Sequence, residues 1–160
     1  MKGDADVIEL LNAVLTNELT AINQYFIHHK MLKDWGYHRL SARKRKESIE
    51  EMVHADKVIE RILFLEGVPN MQRLNPVGVG EEPIEQHELD LALEMEALEV
   101  LRRGIVLCEE KRDFGTRELL AHILEEEEEG VDWLETQLHL VKAIGREHCL
   151  SEQMGSEDES

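Results

Sequence analysis

The fold of this chain is decided by residues 66–82, EGVPNMQRLNPVGVGEE. This stretch holds two of the three prolines, and the third, Pro83, follows it at once. The sequence on both sides is rich in Leu, Glu, Ala, Lys and Arg, which favour helices. The stretch can reach about 55 Å when extended, whereas a helix of about 28 residues is about 42 Å long. We therefore interpret it as a linker that can run the full length of a helical bundle.

Helical patterns flank the linker in two pairs. Gly36 and Gly115 suit the breaks within the pairs, because glycine commonly ends helices. Short loops within each pair and one long crossover between helices two and three predict an all-α, ferritin-like four-helix bundle with a short C-terminal fifth helix. We predict one domain over 1–150 and a disordered acidic tail over 151–160. The helices are predicted near 5–34, 38–65, 83–112, 115–144 and 146–153.

Composition limits the classes of function. The formal net charge of −17 argues against a nucleic-acid partner. This charge fits a protein that attracts cations, although it is equally consistent with an ordinary acidic protein. No run of about 18 apolar residues exists, so we expect no membrane partner. Two cysteines, Cys108 and Cys149, are too few for a disulfide scaffold and suggest a cytoplasmic location.

Each of the four long helices carries a glutamate within its apolar stripe. In the third helix, Glu94 lies between Leu91 and Leu98 at helical spacing. The second helix adds a histidine three residues after its glutamate. The inward-facing polar residues predicted in this way are Glu18, Glu51, His54, Glu94 and Glu127.

A single glutamate of this kind would more often lie at the edge of a stripe, but four at parallel spacing point to a metal site. Four buried carboxylates would repel one another without a cation. Oxygen-rich sites with a few imidazoles suit iron or manganese. Di-iron bundles take a glutamate from two helices and a Glu-x-x-His pair from the other two.

The second Glu-x-x-His pair is incomplete, because the sequence reads Glu127-Glu128-Glu129-Gly130. The site is therefore one nitrogen ligand short, and it would be either an incomplete mononuclear site or a di-iron site completed by water or another carboxylate. Glu126 is rotated by about 100° from Glu127, and His122 lies more than a turn away. Neither is an obvious replacement.

Three stretches resemble bacterioferritin: NELTAINQYF at 17–26, EMVHADKVIERIL at 51–63 and DWLETQL at 132–138. The resemblance covers nearly the whole chain to about residue 150. It implies a 24-subunit shell that oxidises Fe(II), stores a ferric mineral and binds haem b at two-fold interfaces.

The resemblance also implies roles for particular residues. The ferroxidase ligands match Glu18, Glu51, His54, Glu94 and Glu127, with Gly130 as the departure, and Met52 matches the axial haem ligand. Tyr25 matches a redox-active aromatic residue near the centre, although a buried tyrosine that only packs is the commoner case. The family's inner-surface iron site is altered, with Lys46 and Glu50 at its positions.

Two hypotheses follow from these features. In the first, the chain is an iron-storing subunit with ferroxidase activity, and an electron-donor protein serves iron release. In the second, Gly130 makes it a haem-binding, ferroxidase-poor subunit that coassembles with a complete one. The shell is a homo-oligomer in the first case and a hetero-oligomer in the second.

Overall fold

A computed structural model of the chain describes residues 1–155. Within that range the chain forms five α-helices and no strand, which confirms the predicted all-α bundle. None of the five helices is long and apolar enough to cross a bilayer. Part of the predicted disordered tail, 156–160, lies outside the described residues. The helices are α1 (Ala5–Asp34), α2 (His38–Phe64), α3 (Pro83–Glu110), α4 (Phe114–Ile144) and α5 (Arg146–Ser151).

The helices pack as two hairpins. α1 lies along α2, α3 lies along α4, and α1 joins the hairpins by packing against α3. One half of the bundle is filled by a large apolar core, and a smaller cluster surrounds Tyr25. The central members of the large core are Leu11, Leu15, Val58, Ile62, Leu101, Leu120 and Ile123.

Side-chain caps fix where three of the long helices begin. Asp4 accepts the backbone N–H of Asp6 at 2.8 Å to start α1, and Glu82 caps α3 just before Pro83. The break after α3 differs from the prediction. Gly115 lies inside α4, because Asp113 accepts the backbone N–H of Thr116 at 3.0 Å and starts the helix earlier.

A ladder of polar side chains on α1 holds the crossover along the bundle. Asn12 accepts the backbone N–H of Asn70 at 2.8 Å, and Thr20 accepts that of Asn75 at 3.0 Å. Further along, Gln24 and His28 accept the backbone N–H groups of Gly78 and Gly80, both at 3.0 Å. The four side chains are separated by eight, four and four positions, so they form a row along α1, since residues four apart are neighbours on a helix. The linker therefore runs along the bundle, as its length predicts.

Candidate metal centre

The predicted ligands meet in the middle of the bundle. Glu18, Glu51, His54 and Glu127 are each at most 3% exposed. Each offers one ligand atom, and these atoms all lie within 4.8 Å of one another. They come from α1, α2 and α4. The structure thus brings together residues that are up to 109 positions apart in the sequence (127 − 18).

The fifth predicted ligand, Glu94, borders this group from α3. It is buried, and its Oε1 accepts a hydrogen bond from the Tyr25 hydroxyl at 2.5 Å. Repulsion from Glu127 adds to the effect of burial in raising the pKa of Glu94. Tyr25 therefore lies in direct contact with the centre, fully inside the bundle. Burial, followed by the charge of Glu94, raises the pKa of Tyr25 well above its usual value.

Several ligand atoms lack a hydrogen-bond partner among the described residues. They are buried, which makes the absence of a partner costly. His54 Nδ1 lies 2.9 Å from Glu127 Oε1 and 3.5 Å from Glu18 Oε2, but neither contact has hydrogen-bond geometry. A metal ion bound among these atoms would satisfy them. The unpartnered atoms of the centre are Glu18 Oε2, His54 Nδ1, Glu94 Oε2 and Glu127 Oε1.

The pKa values of the predicted ligands are shifted in the directions that a shortage of positive charge would cause. Burial, followed by repulsion from Glu18, raises the pKa of Glu51 well above its usual value. Burial and repulsion from Glu51 raise the pKa of Glu127 to about 7. Burial alone would lower the pKa of His54, but contacts with Glu127 and Glu18 raise it overall. A bound divalent cation would supply the missing positive charge directly.

The outer nitrogen of His54 is held by a residue that helical spacing did not place at the centre. His54 Nε2 makes a short contact with Glu126 Oε2, and the other Glu126 oxygen lies 3.0 Å from His122 Nε2. Glu126 is 42% exposed, so it approaches from the edge of the cluster. It supports a ligand in the way that carboxylates commonly orient metal-binding histidines. Glu126 therefore does not replace the missing histidine.

Position 130 leaves a gap beside the centre. A Cβ atom built on Gly130 would meet nothing within 4 Å. Gly130 also lies in the wall of a cavity of about 380 Å³. The other residues that line this cavity are Arg43, Lys46, Glu47, Glu50, Val53, Glu126 and Glu129.

Met52 lies away from the centre, on the outer surface of α2. Its side chain is 55% exposed although its neighbour Glu51 is 3% exposed, as a rotation of about 100° per residue requires. Ile49, one turn earlier on the same face, is 44% exposed. Ile49 and Met52 thus present two neighbouring apolar side chains on this face of α2.

A second buried polar group lies close to the centre, and the sequence reasoning missed it. Fully buried Lys44 donates to Asp90 Oδ2 at 2.7 Å and to His87 Nδ1 at 3.1 Å. His28 Nε2 accepts the Gly80 N–H, so its Nδ1 donates to Asp90 Oδ1 at 2.9 Å. The signal was available, because Lys44 precedes Glu51 by two helical turns and shares its inward face. We call Lys44, Asp90, His28 and His87 the buried ion-pair network.

Comparison with known proteins agrees with this architecture. Residues 8–144 match the ferritin-like domain family. The chain is 50% identical over 147 residues to bacterioferritin BfrA of Mycobacterium tuberculosis and to a bacterioferritin of Mycobacterium leprae, covering 92% of each chain. It is also 50% identical over 145 residues to a bacterioferritin of Rhodobacter capsulatus, covering 91% of this chain and 90% of that one.

Proposed function

Because this chain belongs to the bacterioferritins of the ferritin-like domain family, we propose that it stores iron as a subunit of a 24-subunit shell, oxidising Fe(II) at the buried centre. The observation that carries the proposal is the group of four buried ligand residues whose atoms lie within 4.8 Å of one another. Their unpartnered oxygens and nitrogen are the donor types that suit iron.

Each ligand has a definite part in this proposal. Fe(II) is the substrate, and two ions would be held between Glu51 and Glu127 as bridging carboxylates. Glu18 and Glu94 would each hold one ion from the side, and His54 Nδ1 would add the nitrogen donor. Two Fe(II) ions would give up two electrons, which together with two protons reduce O₂ to H₂O₂ or reduce H₂O₂ to two waters. The ferric product would then pass to the mineral inside the shell.

Two residues would act on this reaction without binding iron themselves. Glu126 would orient His54 through the contact at its outer nitrogen. Tyr25 donates to Glu94 Oε1 and so restricts how that carboxylate can turn. The same tyrosine is near enough to give an electron to the centre, which is the redox role that the family resemblance implies.

We also propose that haem b binds at a two-fold interface between subunits, with Met52 as its axial ligand. The exposed thioether of Met52 lies on an α2 face that also exposes Ile49, and this apolar surface fits a haem face. A two-fold axis would present one Met52 from each subunit. The haem would carry electrons during iron release, from an electron-donor protein.

Both cysteines are free, which supports the expected cytoplasmic location.

The oxidation step is tested by rapid mixing of the purified chain with Fe(II) in air. We expect a fast phase that consumes two Fe(II) per chain and that disappears in Glu127→Gln. The exposed neighbour Glu128 provides a matched control, because Glu128→Gln should leave the fast phase unchanged. A chain that oxidises iron no faster than buffer would contradict the ferroxidase part of the proposal. An optical spectrum and a native mass of the same sample test haem content and subunit number.

The open position at Gly130 favours a second candidate function. In this alternative the chain is a haem-binding subunit with little ferroxidase activity, and it coassembles with a complete subunit. Gly130→His decides between the two candidates. In the alternative, this substitution should create a fast phase that the natural chain lacks. In an active homopolymer it should change the existing phase little.

A further inference from the structure

The metal centre lacks a donor on one side of α4. On α2, Glu51 and His54 are three residues apart and both reach the cluster. On α4, Glu127 reaches the same cluster, and Gly130 follows it by three residues. Residues three apart on a helix share a face, so a side chain at position 130 would point towards the cluster as His54 does. Glycine supplies no donor there.

The space that such a side chain would fill is large enough for a small molecule. Nothing lies within 4 Å of a Cβ atom at Gly130, and the adjoining cavity is about 380 Å³. A cavity of about 150 Å³ can hold benzene, and imidazole is smaller than benzene. Six of the eight lining residues are charged, so we expect water to fill the cavity rather than leave it dry. A small polar molecule can therefore enter by displacing that water.

The α4 ligand of the centre also has a buried oxygen without a hydrogen-bond partner. Glu127 Oε1 lies one helical turn from Gly130 and has no hydrogen-bond partner among residues 1–155. Glu126, between the cavity and the cluster, is occupied by His54 and His122. The other residues that line the cavity with Gly130 are four glutamates, one arginine, one lysine and one valine, and none of them offers a neutral nitrogen donor. A neutral donor for the open side would therefore come from outside the chain.

We infer that the cavity at Gly130 binds a small neutral nitrogen donor of the imidazole class, which completes the metal centre from solution. This inference rests on the proposed function, because the donor needs metal ions in the cluster. The imidazole nitrogen would contribute its lone pair to the metal ion, and no bond within the protein would be made or broken.

Charge selects the class of donor. Two divalent cations would be neutralised by Glu18, Glu51, Glu94 and Glu127, so an added anion would leave the centre negative. The cavity wall adds four glutamates against one arginine and one lysine, a formal net charge of −2 (2 − 4). A neutral donor avoids this repulsion, whereas an anion of similar size has to overcome it. Imidazole should therefore bind better than azide.

The test uses the assembled protein loaded with Co(II), whose visible absorption reports its ligands. Imidazole is added at pH 8, where it is mostly neutral. We expect the Co(II) bands to shift in a saturable way. Because coupling between two ligands is reciprocal, imidazole should also raise the affinity for Co(II), by about tenfold. Azide at equal concentration should shift the bands less.

Three substitutions at one position make the test specific. Gly130→Ala leaves most of the cavity open and should keep the response to imidazole. Gly130→Leu fills the space without a donor, so it should bind Co(II) but lose the response. Gly130→His should show the shifted bands before any imidazole is added and should respond to none. Each variant also replaces glycine within a helix, which favours folding.

Two negative results have different meanings. If the chain binds two Co(II) but imidazole changes its bands no more than those of Gly130→Leu, the donor site is wrong and the proposed function stands. If the chain binds no Co(II), the metal centre itself fails, and the donor site fails with it.

Discussion

The buried ion-pair network and the metal centre solve the same electrostatic problem in opposite ways. Both place carboxylates inside the bundle, and Tyr25 lies between them, with its hydroxyl on Glu94 and its ring 5.7 Å from Lys44 Nζ. Burial would raise the pKa of Asp90, but the Lys44 ammonium and the hydrogen bonds from His28 and Gln24 lower it to about 2. In the metal centre, burial raises the pKa of Glu127 to about 7.

The difference shows what separates a structural polar cluster from a binding site. Asp90 has its counter-charge built into the chain at Lys44, so its negative charge is already stabilised. The carboxylates of the centre outnumber the one histidine among them, and several of their atoms have no partner among the described residues. A surplus of buried negative charge is costly in the free protein. That cost is recovered when cations bind.

Removing the built-in counter-charge should have the largest effect. Lys44→Met leaves Asp90 buried without its cation, and we expect a loss of about 3–5 kcal/mol in the free energy of unfolding. Denaturant-induced unfolding of the metal-free protein measures this loss. Adding Asp90→Asn to the same chain should recover much of it, because both charges are then gone. A loss below about 1 kcal/mol in the single variant would mean that the ion pair contributes little.

Supplying the missing counter-charge should stabilise the centre. A divalent cation at a hundredfold excess over its dissociation constant should add about 2.7 kcal/mol to the free energy of unfolding. Thermal unfolding with and without Co(II) measures the gain. Glu127→Gln should lose most of this gain, and the adjacent, exposed Glu128→Gln should keep it. An equal gain in both variants would place the cation outside the buried cluster.

The two regions should respond to pH in opposite directions. The acids of the centre have folded pKa values above their usual 4.5, so the metal-free protein should lose stability as pH rises from about 4.5 through 7. The raised pKa of His54 acts in the same direction. The loss is about 1.4 kcal/mol for each pH unit and group in that window. The lowered pKa of Asp90 instead means that its ionised form stabilises the folded protein above about pH 3.8. This contribution disappears as the pH falls through about 2.

Unfolding of the metal-free protein at pH 5 and at pH 8 checks this window. Bound metal should make the free energy of unfolding less dependent on pH, because cations then neutralise the buried carboxylates in place of protons. Glu127→Gln should also reduce the slope, since it removes one of the titrating groups. A metal-free protein that is more stable at pH 8 than at pH 5 would contradict the assignment.

The smallest effect concerns the open position at the centre. Gly130→Ala should stabilise the protein by up to about 1 kcal/mol, because alanine favours a helix interior and its Cβ meets nothing within 4 Å. Gly104 on α3 is the matched control, since a Cβ there would lie 2.4 Å from Leu10 Cδ2 and 2.8 Å from Leu120 Cδ1. Gly104→Ala should therefore destabilise. Equal effects in thermal unfolding would show that Gly130 is constrained by packing.

Sequence reasoning predicted the fold and most of the candidate centre. The apolar stripes placed Glu18, Glu51, Glu94 and Glu127 inwards, and all four are buried. The start of α4 was placed one residue late, because the Asp113 cap sets it and a glycine was taken as the signal. Lys44 and Asp90 were missed although Lys44 shares the inward face of Glu51, because charged side chains are almost never fully buried unless they are paired. Their partner relation spans 46 positions, and no local pattern contains it.

Features that depend on one helix at a time could be inferred from the sequence: where the helices lie, which side chains face inwards, and that position 130 carries no donor. These features follow from the fixed rotation per residue. Contacts between two helices became visible only in the three-dimensional structure. It joined Lys44 to Asp90 and Glu126 to His54, and it left a cavity beside Gly130. Such contacts depend on the register between helices and the reach of long side chains, which spacing along one helix does not fix.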